Sequence, residues 1–278
     1  VDRVRIPEHL ADAARAAVEG RVQPVTPRDA ATVMLLRQAA VGGFEVYMLL
    51  RKSSMAFAPG AYVFPGGSVD QRDADEEVAW AGPAVALWGQ VFDAPPELAR
   101  ALVCAAVRET FEESGVLLAG PSADTVVADT TGADWEADRR ALLDRSLSLA
   151  ELLARRNLIL RSDLLRPWAR WITPAAEPRR FDTRFFAAAL PPGQRTRDVG
   201  GEAAAVQWIT PAAALEAGRA GQIQLWLPTA VTLAELADHA DLAAVLAAQR
   251  EVTALLPELF VQDGATWLSV PGGRKYPL

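Results

Sequence analysis

Residues 100–118, RALVCAAVRETFEESGVLL, constrain the fold most, because they read as a helix with an acid cluster on one side. At about 100° per residue, Glu109, Glu112 and Glu113 fall within roughly a 100° arc. Val103, Val107, Thr110 and Phe111 gather on the opposite side, which packs. Carboxylates this close repel one another unless something positive compensates, and oxygen ligands of this kind suit a hard cation such as Mg²⁺ or Mn²⁺. Gly115 is placed to end the helix. Taken alone, the helix also reads as an ordinary solvated face, since Arg108 and Glu112 form a routine i,i+4 pair.

The residues upstream shift that balance. Residues 30–37 and 45–51 are apolar, β-prone runs separated by Gly42-Gly43, and residues 62–64 form a short strand running into Pro65-Gly66-Gly67. Adjacent glycines let the backbone approach a ligand closely, and a carbonyl there can serve as a metal ligand. Phe64-Pro65-Gly66-Gly67 together with Arg108-Glu109-Thr110-Phe111-Glu112-Glu113-Ser114-Gly115-Val116 resembles the Nudix box of the Nudix hydrolases. In that pattern a glutamate stands a short way after the box glycine, and the Arg-Glu pair follows soon after. Here Asp73 holds the glutamate's place, and 34 residues separate it from Arg108. The box is therefore interrupted, by an insert of about 74–98 whose Trp80 and Trp88 suit a folded excursion with aromatic anchors. The role of Asp73 stays open at this stage.

Composition narrows the remaining choices. A 278-residue chain with 51% hydrophobic content and a mean hydropathy of +0.09 can bury a sizeable core. Its net charge of −7 argues against a nucleic acid polymer as partner. The single cysteine, Cys104, excludes an internal disulfide and a thiolate zinc site, and it sits on the packed side of the helix. No run reads as a membrane span or secretory signal, so the expected location is cytoplasmic. Lys52 and Lys275 are the only lysines among 28 basic residues, which hints at a GC-rich bacterial genome. His9 and His239 give little basis for a catalytic triad, and neither a P-loop nor a dinucleotide fingerprint occurs.

Downstream, residues 134–156 read as one or two helices forming a cap, and 181–188 as a strand preceded by Arg179-Arg180. Arginine suits phosphate and aromatics suit stacking on a base, although both residue types in such density also suit a core. The segment 198–208, DVGGEAAAVQW, carries Glu202 shortly before a Trp, a Pro and a helix over 212–220. Residues 229–248 read as one helix, and 266–270 as a strand.

Within the Nudix hydrolases the nearest likeness is to the coenzyme A diphosphatase-like branch, which includes a peroxisomal mammalian member. It rests on the stretches 49–53 and 60–67, the long insert before 104–109, and 179–186. The resemblance implies an α/β fold: an α/β/α sandwich around a mixed sheet, with the box insertion and extra helices. It implies a lead-in over 1–28, a hydrolase domain over 29–225 with a helical elaboration of about 133–160, and a helical extension and tail over 226–278. The implied reaction is metal-dependent cleavage of a diphosphate bond, of coenzyme A or acyl-CoA to 3′,5′-ADP and (acyl-)4′-phosphopantetheine. Related readings are a pyrophosphatase for ADP-ribose or NADH, and a ligand-binding module without turnover. The implied catalytic residues are Arg108, Glu109, Glu112 and Glu113. The metal ligands for Mg²⁺ or Mn²⁺ are Gly67, Glu109, Glu112, Glu113 and Glu202, and the substrate-binding residues are Arg51, Arg180, Arg184 and Phe186. The expected partner is a small nucleotide, with no membrane; homodimerisation is left open.

Overall fold

Alternation of apolar residues along the first long strand gives the sheet two packed faces: Ala31, Val33 and Leu35 point one way, Met34 and Leu36 the other. The computed structural model describes residues 3–6, 8–21, 23–54, 58–75, 77–197 and 203–278. In chain order it runs through β1 (Arg3–Arg5), α1 (Glu8–Val18), β2 (Arg28–Gln38), β3 (Phe44–Arg51), β4 (Tyr62–Val63) and β5 (Gly66–Ser68). A 3₁₀ turn (Gln71–Ala74), β6 (Trp80–Ala81) and α2 (Val85–Phe92) precede the long helix α3 (Pro96–Ser114). Next come β7 (Ala119–Gly120), α4 (Ala133–Leu143), α5 (Leu149–Arg155), β8 (Ile159–Arg161), β9 (Leu165–Ile172) and β10 (Phe181–Ala189). The chain continues through β11 (Ala203–Ile209), α6 (Pro211–Arg219), α7 (Leu227–Ala237) and α8 (Leu242–Ala247). It ends with β12 (Ala254–Leu255), β13 (Leu259–Gln262) and β14 (Ala265–Ser269).

The main sheet is eight-stranded and mixed, in the order β11-β3-β2-β10-β9-β12, with β4 paired to β3 and β5 to β2. β10 runs parallel to β2 and the other neighbours of these central strands are antiparallel. One face of the sheet buries Val103, Val107 and Phe111 of α3 and Leu142, Leu152 and Leu153 of α4 and α5. The opposite face buries Leu215, Val231, Leu233 and Leu236 of α6 and α7. This is the expected three-layer α/β/α arrangement.

The feature that creates a site is a split in the sheet. β2 and β3 pair only over Leu36–Gln38 and Phe44–Val46, then diverge. β4 and β5 line the two sides of the opening, and the turn between them carries Pro65.

The insert folds as the aromatic content suggests. Trp88 stacks on Phe92 at 5.8 Å between ring centroids, and both rings pack on Phe186, at 5.7 and 5.2 Å. β6 pairs with β8, which also holds β7, so the insert is tied to the segment leaving α3. The helical extension differs from the sequence reading. The helix expected over 229–248 is broken into α7 and α8, because Asp241 accepts the Ala244 N–H at 2.8 Å and caps a new start. The strand expected at 266–270 is β14, and it pairs with both β13 and β1, joining the two ends of the described chain in a separate sheet. Among the described residues no helix is long and apolar enough to cross a membrane.

Candidate active site

The acidic side of α3 is not a solvated face. The helix is buried nearly all round, because β2 and β5 pack along it on one side and α4 on another. Glu112 is 6% exposed and Arg108 9%. Burying charge costs free energy unless each group is paired, and Arg108 supplies the pairing. Its Nε and Nη2 donate to the two oxygens of Asp73, both at 2.9 Å, a two-pronged contact. Nη1 donates to Glu109 at 2.7 Å and to Glu112 at 3.2 Å, and Nη2 also reaches the Ser68 carbonyl at 3.0 Å. Burial works against the Arg108 charge, but Asp73 and the two glutamates outweigh it and raise its pKa.

Asp73 thereby acquires the role that the sequence left open. It is 2% exposed and sits in the 3₁₀ turn, where it also accepts the Asp70 N–H at 2.8 Å as part of a capping box. The insert begins immediately after this turn, so the interruption leaves the contact between the two halves of the box intact.

The glycines fit the same arrangement. Gly66 N–H donates to Glu113 Oε2 at 2.8 Å. A Cβ at Gly66 would lie 2.5 Å from the Ala31 carbonyl oxygen, and one at Gly67 would lie 2.6 Å from Glu109 Cδ. The carboxylate of Glu109 thus occupies the space that a side chain at 67 would need. At the far end of the helix Gly115 adopts φ 75° and closes it, as expected.

These groups form the floor of an open cleft of about 470 Å³ at the split of the sheet. Burial raises the pKa of Glu109 and of Glu112; Arg108 opposes the rise, while Glu112 adds to it for Glu109, and Asp73 does so for both. The donor set is therefore all-oxygen, buried and short of positive charge, which fits a hard divalent cation. Among the described residues no three acidic, His or Cys side chains stand ready to hold a metal. Glu109 and Glu112 lean on Arg108, and Glu113 on Gly66.

The substrate-binding expectations divide. Arg51, at the end of β3, lines the cleft. Arg180, Arg184 and Phe186 do not, and here the structure corrects the sequence reading. Arg180 is buried and donates to the carbonyls of Thr173 and Val25 at 2.9 and 2.8 Å, tying the loop before β10 to the lead-in of β2. Arg184 is 1% exposed and pairs with Asp29 and Asp182, the latter also gripped by Arg170. Phe186 is the core partner of Trp88 and Phe92. The other parity of β10 reaches the cleft, through Phe181 and Thr183. Glu202 lies outside the described residues. Arg72, Arg139 and Arg145 also line the cleft and were missed, and Arg179, noted in the sequence beside Arg180, lines it as well. Arg139 and Arg145 come from α4 and the turn after it, for which the sequence carries no phosphate motif. Cys104 is buried as expected, and burial raises its pKa.

Comparison with known proteins agrees with this geometry. The family model described as the NUDT19 Nudix domain matches residues 89–236, more than half of the chain. A chicken (Gallus gallus) protein named acyl-coenzyme A diphosphatase NUDT19 is 29% identical over 244 residues, covering 72% of this chain and 62% of that protein. Its namesake from Xenopus laevis is 28% identical over 235 residues, covering 69% and 59%. The chain thus spans less than two thirds of the length of these relatives. A crystal structure of a Nudix hydrolase from Alicyclobacillus acidocaldarius superposes with a TM-score of 0.69 at 27% identity, covering 82% of this chain and 98% of that one. A split sheet with an acidic helix at its mouth, a box rejoined through Asp73 and Arg108, and a matching family model together place this chain in the NUDT19 Nudix domain family of the Nudix hydrolases.

Proposed function

We propose that the protein hydrolyses the diphosphate bond of coenzyme A or acyl-CoA, giving 3′,5′-ADP and (acyl-)4′-phosphopantetheine. The observation that carries this reading is the buried cluster at the cleft floor, where Glu109, Glu112 and Glu113 converge around Arg108 and Gly66-Gly67. The names of the chicken and frog relatives support the coenzyme A assignment.

Nudix hydrolases generally use divalent metals, and Gly67, through its carbonyl, with Glu109, Glu112 and Glu113, would hold Mg²⁺ or Mn²⁺ here. When bound, the metal neutralises diphosphate oxygens and lowers the pKa of water. The residues do the rest. Arg108 stays charged and keeps the carboxylates from driving one another out of the site. Glu109, at the cleft floor beside Arg108, is placed to accept a proton from the attacking water. Arg51 at the cleft wall supplies charge for the phosphates, and Phe181 an apolar ring for the rest of the ligand.

A substrate panel tests this: coenzyme A, acetyl-CoA, ADP-ribose, NADH and an oxidised nucleoside triphosphate, each with and without Mg²⁺ or Mn²⁺. Metal-dependent release of 3′,5′-ADP from the coenzyme A species, lost in Glu113→Gln, is the expected result. Preference for another member of the panel overturns the substrate assignment, and full activity of Glu113→Gln overturns the site.

A further inference from the structure

The last turn of α3 carries Glu112 and Glu113, and the carbonyls there are those a helix leaves without internal partners. In this protein several of those partners come from beyond the box. The Gly115 N–H, inside the box, donates to the Phe111 carbonyl at 2.9 Å, whereas the Arg197 N–H, from beyond it, donates to the Ser114 carbonyl at 3.1 Å. Thr130 Oγ1 donates to the Gly115 carbonyl at 2.6 Å. The Glu112 carbonyl is taken by Arg139 Nη1, at 2.8 Å, from α4.

Arg139 is itself held rigidly. Its side chain is 3% exposed, and its Nε and Nη2 donate to the two oxygens of Glu136 at 2.9 and 2.8 Å, which fixes the plane of the guanidinium. Glu136 also accepts Arg197 Nη2 at 3.2 Å, and the Arg197 guanidinium lies against Gly115, whose Cβ, if present, would be 2.9 Å from Arg197 Cζ. Two arginines joined by one carboxylate therefore close the negative end of the helix that carries the acid cluster.

We propose that Arg139 is a positioning residue for diphosphate hydrolysis: by holding the Glu112 carbonyl and placing a fixed positive charge beside the Glu112 carboxylate, it sets how Glu112 and Glu113 project into the cleft. The inference rests on the reading of the acid cluster as the diphosphatase site. It makes α4 part of that site. Arg139 lines the cleft, yet its guanidinium is committed to Glu136 and Glu112, so it acts through the helix and not on the substrate. Lysine in its place would keep a charge but lose the planar fork.

The test uses the full chain, with coenzyme A turnover and Mn²⁺ binding without substrate, followed by electron paramagnetic resonance. Arg139→Gln is expected to lower kcat by about 10- to 100-fold, with KM within about threefold of wild type and Mn²⁺ binding weakened by a similar factor to kcat. Arg139→Lys should recover part of the loss, and Glu136→Gln should reproduce the Arg139→Gln defect, with no further loss in the double variant. Arg140→Ala, which removes an exposed partner of Glu136, should behave as wild type. A folded Arg139→Gln protein with wild-type kcat and Mn²⁺ affinity overturns the proposal. If Arg139→Gln does not fold, wild-type values in both Arg139→Lys and Glu136→Gln overturn it. Glu113→Gln separates the two levels: full activity there removes the site itself, whereas an inactive Glu113→Gln beside an unaffected Arg139→Gln removes only the role of Arg139.

Discussion

Replacing Asp73 with Asn tests whether the two halves of the interrupted box depend on each other. Asp73 gives one oxygen to Arg108 Nε, and the other to both Arg108 Nη2 and the Asp70 N–H. Asparagine keeps one acceptor oxygen, so its amide would best keep the shared position and present its NH₂ to Arg108 Nε. One charge-assisted hydrogen bond is lost, a donor faces a donor, and the buried guanidinium loses its fully negative partner. Removing one member of a buried pair costs about 3–5 kcal/mol. Because Arg108 keeps Glu109, Glu112 and the Ser68 carbonyl, we expect the lower part of that range, about 3–4 kcal/mol. For a chain of this size that corresponds to a fall in Tm of roughly 5–8 °C. Thermal unfolding followed by circular dichroism measures it, and turnover of coenzyme A should fall in parallel as Arg108 pulls Glu109 and Glu112 toward itself. Asp73→Glu keeps the charge at the cost of one methylene and should lie between Asn and wild type. An Asn variant within about 2 °C of wild type would refute the reasoning, since buried-pair loss is far larger than that. Equal losses in Asn and Glu would show that shape and not charge is at issue.

Two further outcomes follow from the site. Gly67→Ala places a methyl group against the Glu109 carboxylate, the mobile end of a side chain, at a position without a positive φ; we expect Tm to change little while coenzyme A turnover falls at least about 10-fold, and a Tm drop matching that of Asp73→Asn would count against it. Glu136 has its pKa lowered from 4.5 to about 2, chiefly by the hydrogen bonds from Arg139. A carboxyl depressed on folding stabilises the protein above its unfolded pKa, and that contribution is lost as pH falls through the folded one. The Tm gap between wild type and Glu136→Gln should therefore be full above pH 4.5 and close as pH drops toward 2; a gap that stays constant over that window would contradict it.

Local chemistry made much of this protein legible from residues alone. Helical spacing brought Glu109, Glu112 and Glu113 together, Gly115 ended the helix, and the adjacent glycines marked the close approach at Gly66 and Gly67, because each of these depends on neighbours a few positions away. Strands β2, β3, β4 and β10 and the aromatic anchoring of the insert followed from the same kind of pattern, whereas β9 and β12 did not. Period-two alternation sorted β10 into two sets of residues but carried no information on which set meets the cleft. Parallel pairing with β2 turned Phe181 and Thr183 toward it and sent Arg184 and Phe186 into ion pairs and core. Likewise, nothing local joins Asp73 to Arg108 across 34 intervening residues, or Arg139 to the end of α3. The buried charge of Arg108 demanded a partner, and only the folded chain, by closing those loops, decided that Asp73 would supply it.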